Sequence, residues 1–171
     1  MLSSLDIINK LNDNKIKYEI EKHEAFYTVK DSVNKRNIKK GAHTKNLFLK
    51  NKKSQFVLFS CTENENFKIK DFSKTIGFNN LSFANENYLK EILGIAPGSV
   101  SPFALLNDRK NMVNFYLEEN IYNSDFVNFH PLINTLTISI DTKKFMSFMI
   151  ENNKKIHIYS FKKNVVLKTY E

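Results

Sequence analysis

Apolar positions along the chain recur with two different periods. Near the N-terminus Leu5, Ile8 and Leu11 fall at helical spacing behind Ser3 or Ser4, either of which can cap a helix that ends in the Asn/Asp cluster at 12–14. The segment TVKDSVNKRN, with Thr28 and Asp31 in a short acidic variant of the capping box, reads as a second helix. After Gly41 the period changes. LFLK, the polar NKKS and then QFVLFSC predict two apolar strands joined by a turn. Short helices are expected from about Asp71 to Ile76 and from Glu86 to Leu93, with LSFA as a buried strand between them. MVNFYLE, DFVNFH and NTLTISI alternate or are rich in β-branched and aromatic residues, and read as strands. Asp141 caps a helix in TKKFMSFMIENN, with Phe145, Phe148 and Met149 on one face, and KIHIYSF is a last strand before a Lys-rich tail. Helices mixed with adjacent strands predict an α+β fold with a mostly antiparallel or mixed sheet.

Composition narrows the class. The 171 residues are 42% hydrophobic and 26% charged, with neither a low-complexity linker nor an internal repeat, so the whole chain, 1–171, is read as one domain. Such a length buries enough surface to fold without disulfides or a structural metal. The single cysteine, Cys61, lies in an apolar run and is expected to be a buried, reduced thiol. Apolar runs stay short of a membrane span and the start lacks the features of a signal peptide, so a cytoplasmic protein with no membrane partner is expected. Lys and Arg number 26 against 18 Asp and Glu, a formal charge of +8, which favours a polyanionic partner. The abundance of Asn, Lys, Ile and Phe also fits drift in an AT-rich genome.

Three stretches can carry chemistry. In GAHTKNLFL, residues 41–49, His43, Thr44, Lys45 and Asn46 enter an apolar strand. Lys45 is either a solvated strand-end lysine or a cation which, with the Asn46 amide, meets a ligand phosphate or ester carbonyl. In APGSVSPF, residues 96–103, Pro97 and Pro102 bracket Gly98 and Ser99. That loop is either a rigid connector or a set of backbone N–H groups for an oxyanion. His130 in FHPL precedes a proline and is held out of helical geometry, as a structural histidine or a general base. The basic cluster Lys35, Arg36, Lys39 and Lys40 is either a solvated helix end or a phosphate-binding patch. The chain contains no Walker loop, GxGxxG, HExxH, CxxC or GxSxG, and its four histidines lack metal-ligand spacing. Neither a metal, a cofactor nor a covalent Ser or Cys intermediate is expected.

In this order and spacing, GAHTKNLFL, LSFA, LGIAPGSVSPFALLND and FHPLINTLTISI resemble the YbaK/prolyl-tRNA-synthetase-associated editing family, and within it the freestanding Ala-tRNA(Pro) deacylases. The similarity runs from His23 to about Tyr159 and leaves FKKNVVLKTYE unmatched. The resemblance implies a mixed, barrel-like sheet flanked by helices, and hydrolysis of mischarged tRNA in trans. The partners would be the aminoacylated 3′ end of tRNA(Pro) and, transiently, prolyl-tRNA synthetase. It also implies site roles. Lys45 would grip a phosphate or carbonyl at the tRNA end, Asn46 would orient the ester, the Gly98 and Ser99 amides would face the oxyanion, and His130 would position the adenosine or a water. His43, Thr44, Val100, Ser101, Pro102 and Phe103 would line the substrate. Two other readings remain: a deacylase for Cys- or Ser-tRNA, and a non-catalytic tRNA-end or regulatory ligand-binding domain.

Overall fold

The computed structural model describes residues 1–25, 37–38 and 40–171. Helix α1 (Ser4–Asp13) starts at a capping box in which the Ser3 hydroxyl accepts from the Asp6 amide at 3.2 Å and Asp6 accepts from the Ser3 amide at 2.7 Å. Its buried residues are Ile7 and Leu11, one turn apart. Leu5 lies about 200° of helical rotation before Ile7, and so it is 64% exposed rather than part of the inward face the spacing suggested. The proposed helix TVKDSVNKRN falls, but for Asn37, outside the described residues.

The described strands are β1 (Tyr18–Lys22), β2 (Ala42–Lys50), β3 (Phe56–Thr62), β4 (Ser82–Phe83), β5 (Val113–Glu118), β6 (Phe126–Phe129), β7 (Leu136–Asp141), β8 (Ile156–Ser160) and β9 (Val165–Tyr170). They form one mixed sheet in the order β1-β7-β6-β2-β3-β5-β8-β9, with β4 on β2. The β2–β3 hairpin matches the expectation. Asn51 closes its turn by accepting from the Lys53 and Gln55 amides at 2.9 and 3.1 Å. β3 is buried along nearly its whole length because both faces of the sheet are covered. One face packs against α1, α5 (Thr142–Glu151) and the 3-10 helix Pro102–Asn107, and its core includes Phe48, Phe103, Phe129, Phe145 and Phe148. The other face packs Leu49, Phe59 and Cys61 against Phe72 of α2 (Ile69–Thr75). Asp141 caps α5 as expected, accepting from the Lys144 amide at 2.9 Å.

Two expectations change. LSFA is no buried strand: β4 is two residues long and Phe83 is 62% exposed, since Leu81 alone of the apolar pair turns inward. The Lys-rich tail contains β9, antiparallel to β8. Helix α3 (Glu86–Tyr88) continues into a π turn, Leu89–Leu93, while α4 (Glu119–Tyr122) follows β5.

The placement of β2 creates the site. β2 is antiparallel to β3 along one edge, but on its other edge it meets β6 only at Ala42 and His43, in parallel, and β4 only at Leu49 and Lys50. Between those contacts the sheet splits. Gly41 permits the close approach of β2 to β6: its φ is +76°, and a Cβ there would lie 2.6 Å from the Phe126 carbonyl oxygen.

Candidate active site

At the split a cleft of about 60 Å³ opens, with His43, Thr44 and Asn46 of β2 along one wall and Asn128, Phe129 and His130 of β6 and its end along another. Glu21, Ile38, Glu63 and Thr137 complete the lining. This volume holds a few waters or a methyl-sized group.

The cleft's polar groups are held by a chain of hydrogen bonds. The buried Ser60 hydroxyl donates to Asn46 Oδ1 at 2.6 Å, which turns the Asn46 Nδ2 toward the Thr44 hydroxyl, 3.5 Å away. Thr44 in turn donates to the Asn128 carbonyl at 2.9 Å, bridging β2 to β6 where the ladder stops. Asn128 Nδ2 donates to the Lys40 and Ala42 carbonyls at 2.9 and 3.2 Å. Asn46 therefore presents an oriented amide donor through a long, weak contact with Thr44.

His130 is equally constrained. Its Nδ1 lies 2.7 Å from the Leu136 carbonyl, an acceptor only, so Nδ1 carries a proton and the neutral ring keeps its lone pair on Nε2. Burial pushes the His130 pKa below the usual histidine value; the Leu136 carbonyl opposes this and nearby His23 reinforces it. The two imidazole centroids are 5.9 Å apart. His23 spans the Glu24 carbonyl at 2.7 Å and the Thr137 hydroxyl at 2.9 Å. Glu21 accepts from the Asn37 amide at 2.6 Å and the Ile38 amide at 2.8 Å. Burial works to raise the Glu21 pKa, but these amide bonds, together with His23 and the Asn37 side chain, outweigh it and hold the carboxyl below the usual range.

The cleft thus unites four of the expected residues, His43, Thr44, Asn46 and His130, and adds Glu21, Glu63, Asn128 and Thr137, with His23 bonded to Thr137 behind the wall. Lys45 is absent from its lining. Alternation along β2 sends that side chain to the face opposite Thr44 and Asn46, beside Cys61, its cross-strand partner. The Lys45 ammonium donates to the Glu65 carbonyl, in the turn that begins with cleft-lining Glu63. Burial pushes the Cys61 thiol up to about 12, against the pull of Lys45, leaving it an inert thiol.

The loop 98–103 also differs from expectation. The Ser99 amide donates to the Ala96 carbonyl at 3.1 Å and is committed to a turn, so it is no open oxyanion donor. Ser101 caps the 3-10 helix by accepting from the Phe103 amide at 3.3 Å; Pro102 and Phe103 are buried, and Phe103 packs edge-on against Phe129, Phe145 and Phe148. These are core roles. Gly98, at φ +83°, is exposed and Val100 half-buried, and neither lines the cleft. Of the basic cluster, Lys35, Arg36 and Lys39 lie outside the described residues, whereas Lys40 is exposed, pairs with Glu19 and sits 4.5 Å above the Phe126 ring. Among the described residues no group of three or more His, Cys, Asp or Glu could hold a metal, and no helix is long and apolar enough to cross a membrane.

The described residues thus form a mixed-sheet α+β fold with a small cleft lined by oriented donors and a neutral imidazole. The profile of the aminoacyl-tRNA editing domain matches residues 23–148, and the chain belongs to that family. It is 33% identical over 134 residues to the prolyl-tRNA editing protein ProX of Acetoanaerobium sticklandii, covering 77% of this chain and 81% of that protein. It is 31% identical over 154 residues to prolyl-tRNA synthetase associated domain-containing protein 1 of Bos taurus, covering 87% and 90%. The fold also matches a solved structure described as a candidate trans-editing enzyme for prolyl tRNA synthetase, with TM-score 0.63 and 16% identity over 91% of this chain and 96% of the other.

Proposed function

We propose that this chain, acting as one domain, is a trans-editing deacylase that hydrolyses Ala-tRNA(Pro) to alanine and tRNA. The observation that carries the reading is the pairing of an oriented Asn46 amide with a neutral His130 in a cleft of about 60 Å³. An aminoacyl ester is already activated, so hydrolysis needs a positioned water, a donor for the carbonyl oxygen and an anchor for the RNA end. A water held at His130 Nε2 adds to the ester carbon, its proton passing to the imidazole. The charge that develops on the carbonyl oxygen meets Asn46 Nδ2, which takes the part first expected of the Gly98 and Ser99 amides. The ribose oxygen then leaves with the proton. Lys45, at the far side of the turn that edges the cleft, serves as the cation for a phosphate of the terminal nucleotides.

The size of the cleft supports the choice of amino acid. A synthetase pocket built for proline rejects the smaller alanine by only about 1 to 3 kcal/mol per missing methylene, so such errors need a second, smaller sieve. Alanine's methyl suits a cleft of this size, whereas the proline ring would overpack it. Purified protein incubated with alanyl-, cysteinyl-, seryl- and prolyl-tRNA(Pro) tests this by ester loss. Fast hydrolysis of the alanyl ester with sparing of the prolyl ester is expected; equal rates would refute the sieve, and preference for the cysteinyl or seryl ester would reassign the substrate. Transient contact with prolyl-tRNA synthetase would deliver the substrate, and the reaction needs no cofactor.

A further inference from the structure

The β8–β9 hairpin lies wholly beyond the 23–148 span that matches the family, and the cleft makes no use of it. β9 ends the sheet, four strands from β2, or about 19 Å at the usual strand spacing. Lys162 and Lys163 occupy the turn before it, Lys168 lies on it, and all three are exposed. No carboxylate among the described residues pairs with them, whereas Lys155 is matched by Glu171. Lys168 sits 4.3 Å from the Tyr170 ring centroid, and the Tyr170 hydroxyl bonds that of Tyr122 at 2.6 Å. From the turn to Lys168 the three lysines thus span on the order of 15 Å of chain, ending at an aromatic pair.

We infer that the β8–β9 hairpin is a second RNA-binding surface, which takes backbone phosphates of the tRNA stem through Lys162, Lys163 and Lys168 while the cleft takes the 3′ end. This rests on the reading of the substrate as a tRNA. Exposed lysines without a carboxylate partner in this spacing complement a polyanion, and they exceed what guarding an edge strand requires, since two of them stand in the turn and not on the edge. A second copy is a poor occupant of the β9 edge. Although Val165, Val166 and Leu167 are 37–42% exposed there, antiparallel self-pairing about Val166 would bring Lys162 and Lys163 toward the partner's end that carries Lys168.

The test uses the full chain with Lys162→Gln, Lys163→Gln and Lys168→Gln combined, and the turn pair Lys162→Gln with Lys163→Gln as a milder variant. Binding of uncharged tRNA(Pro) is measured across salt concentrations, alongside hydrolysis of full-length Ala-tRNA(Pro) and of the alanyl ester of a CCA trinucleotide. At roughly 0.7 to 0.9 per lost phosphate contact, the log–log salt slope should flatten by about 2 in the triple variant and by somewhat less in the pair. Affinity for tRNA should drop at least about tenfold, KM for the full-length substrate should rise in step, and the trinucleotide ester should be cleaved at an unchanged rate. An unchanged slope and affinity would overturn the inference. So would self-association of the variants with tRNA affinity intact, which would make the lysines guards of the edge. If the unmodified protein cleaves neither ester, the proposed activity falls, and the binding arm still decides the hairpin.

Discussion

Lys45 and Asn46 are neighbours in sequence and strangers in space. The two faces of β2 they occupy have different chemistries. On one, Asn46 is oriented by Ser60 and opens on a polar cleft; on the other, Lys45 lies over Cys61 in the company of Leu47 and Leu49 and is tethered to the Glu65 carbonyl. A motif read as one reactive unit is thus divided by the pleat, and in the proposed reaction its two halves act on different parts of the substrate. The polar face suits the reacting ester, and the Lys45 face suits an anchor at the rim.

The strongest way to break this comparison is to remove Asn46. Asn46→Ala should lower kcat for deacylation 10²- to 10³-fold, about 2.7 to 4 kcal/mol of lost oxyanion stabilisation, with KM little changed. It should also cost about 1 to 3 kcal/mol of stability, because the buried Ser60 hydroxyl loses its acceptor. A kcat within fivefold of the parent would take the polar face out of the chemistry. Lys45→Ala comes next, with a loss of about 1.5 to 3 kcal/mol in kcat/KM that appears in KM, as expected for a charge-assisted contact made in ground and transition states alike. If its loss appears wholly in kcat, Lys45 must reach the ester and the division of labour fails.

Acidity sharpens the contrast, since His130 belongs to the polar face. Its folded pKa lies below the ordinary 6.5, so kcat/KM should be level near pH 7 and fall only at pH values under 6.5, after subtraction of spontaneous ester hydrolysis. The unfolded chain then binds the extra proton first, so this contribution to stability is complete above about pH 6.5 and is lost as pH falls toward the folded pKa. His157, lowered by burial and by Lys155 against Glu171, contributes with the same sign. Melting curves between pH 7.5 and 5 should show this decline, and His130→Gln should reduce it and remove the acid limb of the rate profile. The smallest effect is expected from Cys61. Its thiol is pushed up to about 12, so thiol-alkylating reagents at neutral pH should leave the folded protein unmodified, and Cys61→Ala should keep deacylation within about twofold. Rapid alkylation with loss of activity would give the Lys45 face a reactive role.

How far the sequence could have led to this arrangement differs from residue to residue. The β2–β3 hairpin was legible because alternation and a polar turn are local signals, and the opposition of Lys45 and Asn46 was implicit in the same two-residue period. His130 was marked by its proline. The contributions of Glu21, His23 and Thr137 were not legible: β1 pairs with β7, joining His23 to Thr137 across 114 positions, a distance over which no local pattern carries information. Phe103 misled for the opposite reason, since a motif match says nothing about which of its residues the core claims. β9 was overlooked because its first five residues are exposed, so neither face shows the apolar alternation that identifies a half-buried strand.

The β1–β7 pairing also bears on how the protein acquires its activity. Hairpins such as β2–β3 close short loops, whereas bringing residue 23 to residue 137 closes a loop of most of the chain at a larger entropic cost. A nascent chain still lacking β7 would hold neither the Thr137 bond to His23 nor the Leu136 carbonyl that sets the His130 tautomer. On the proposed mechanism, a chain made only as far as β6 would therefore lack the groups that orient the two imidazoles, and with them the means to attack an ester.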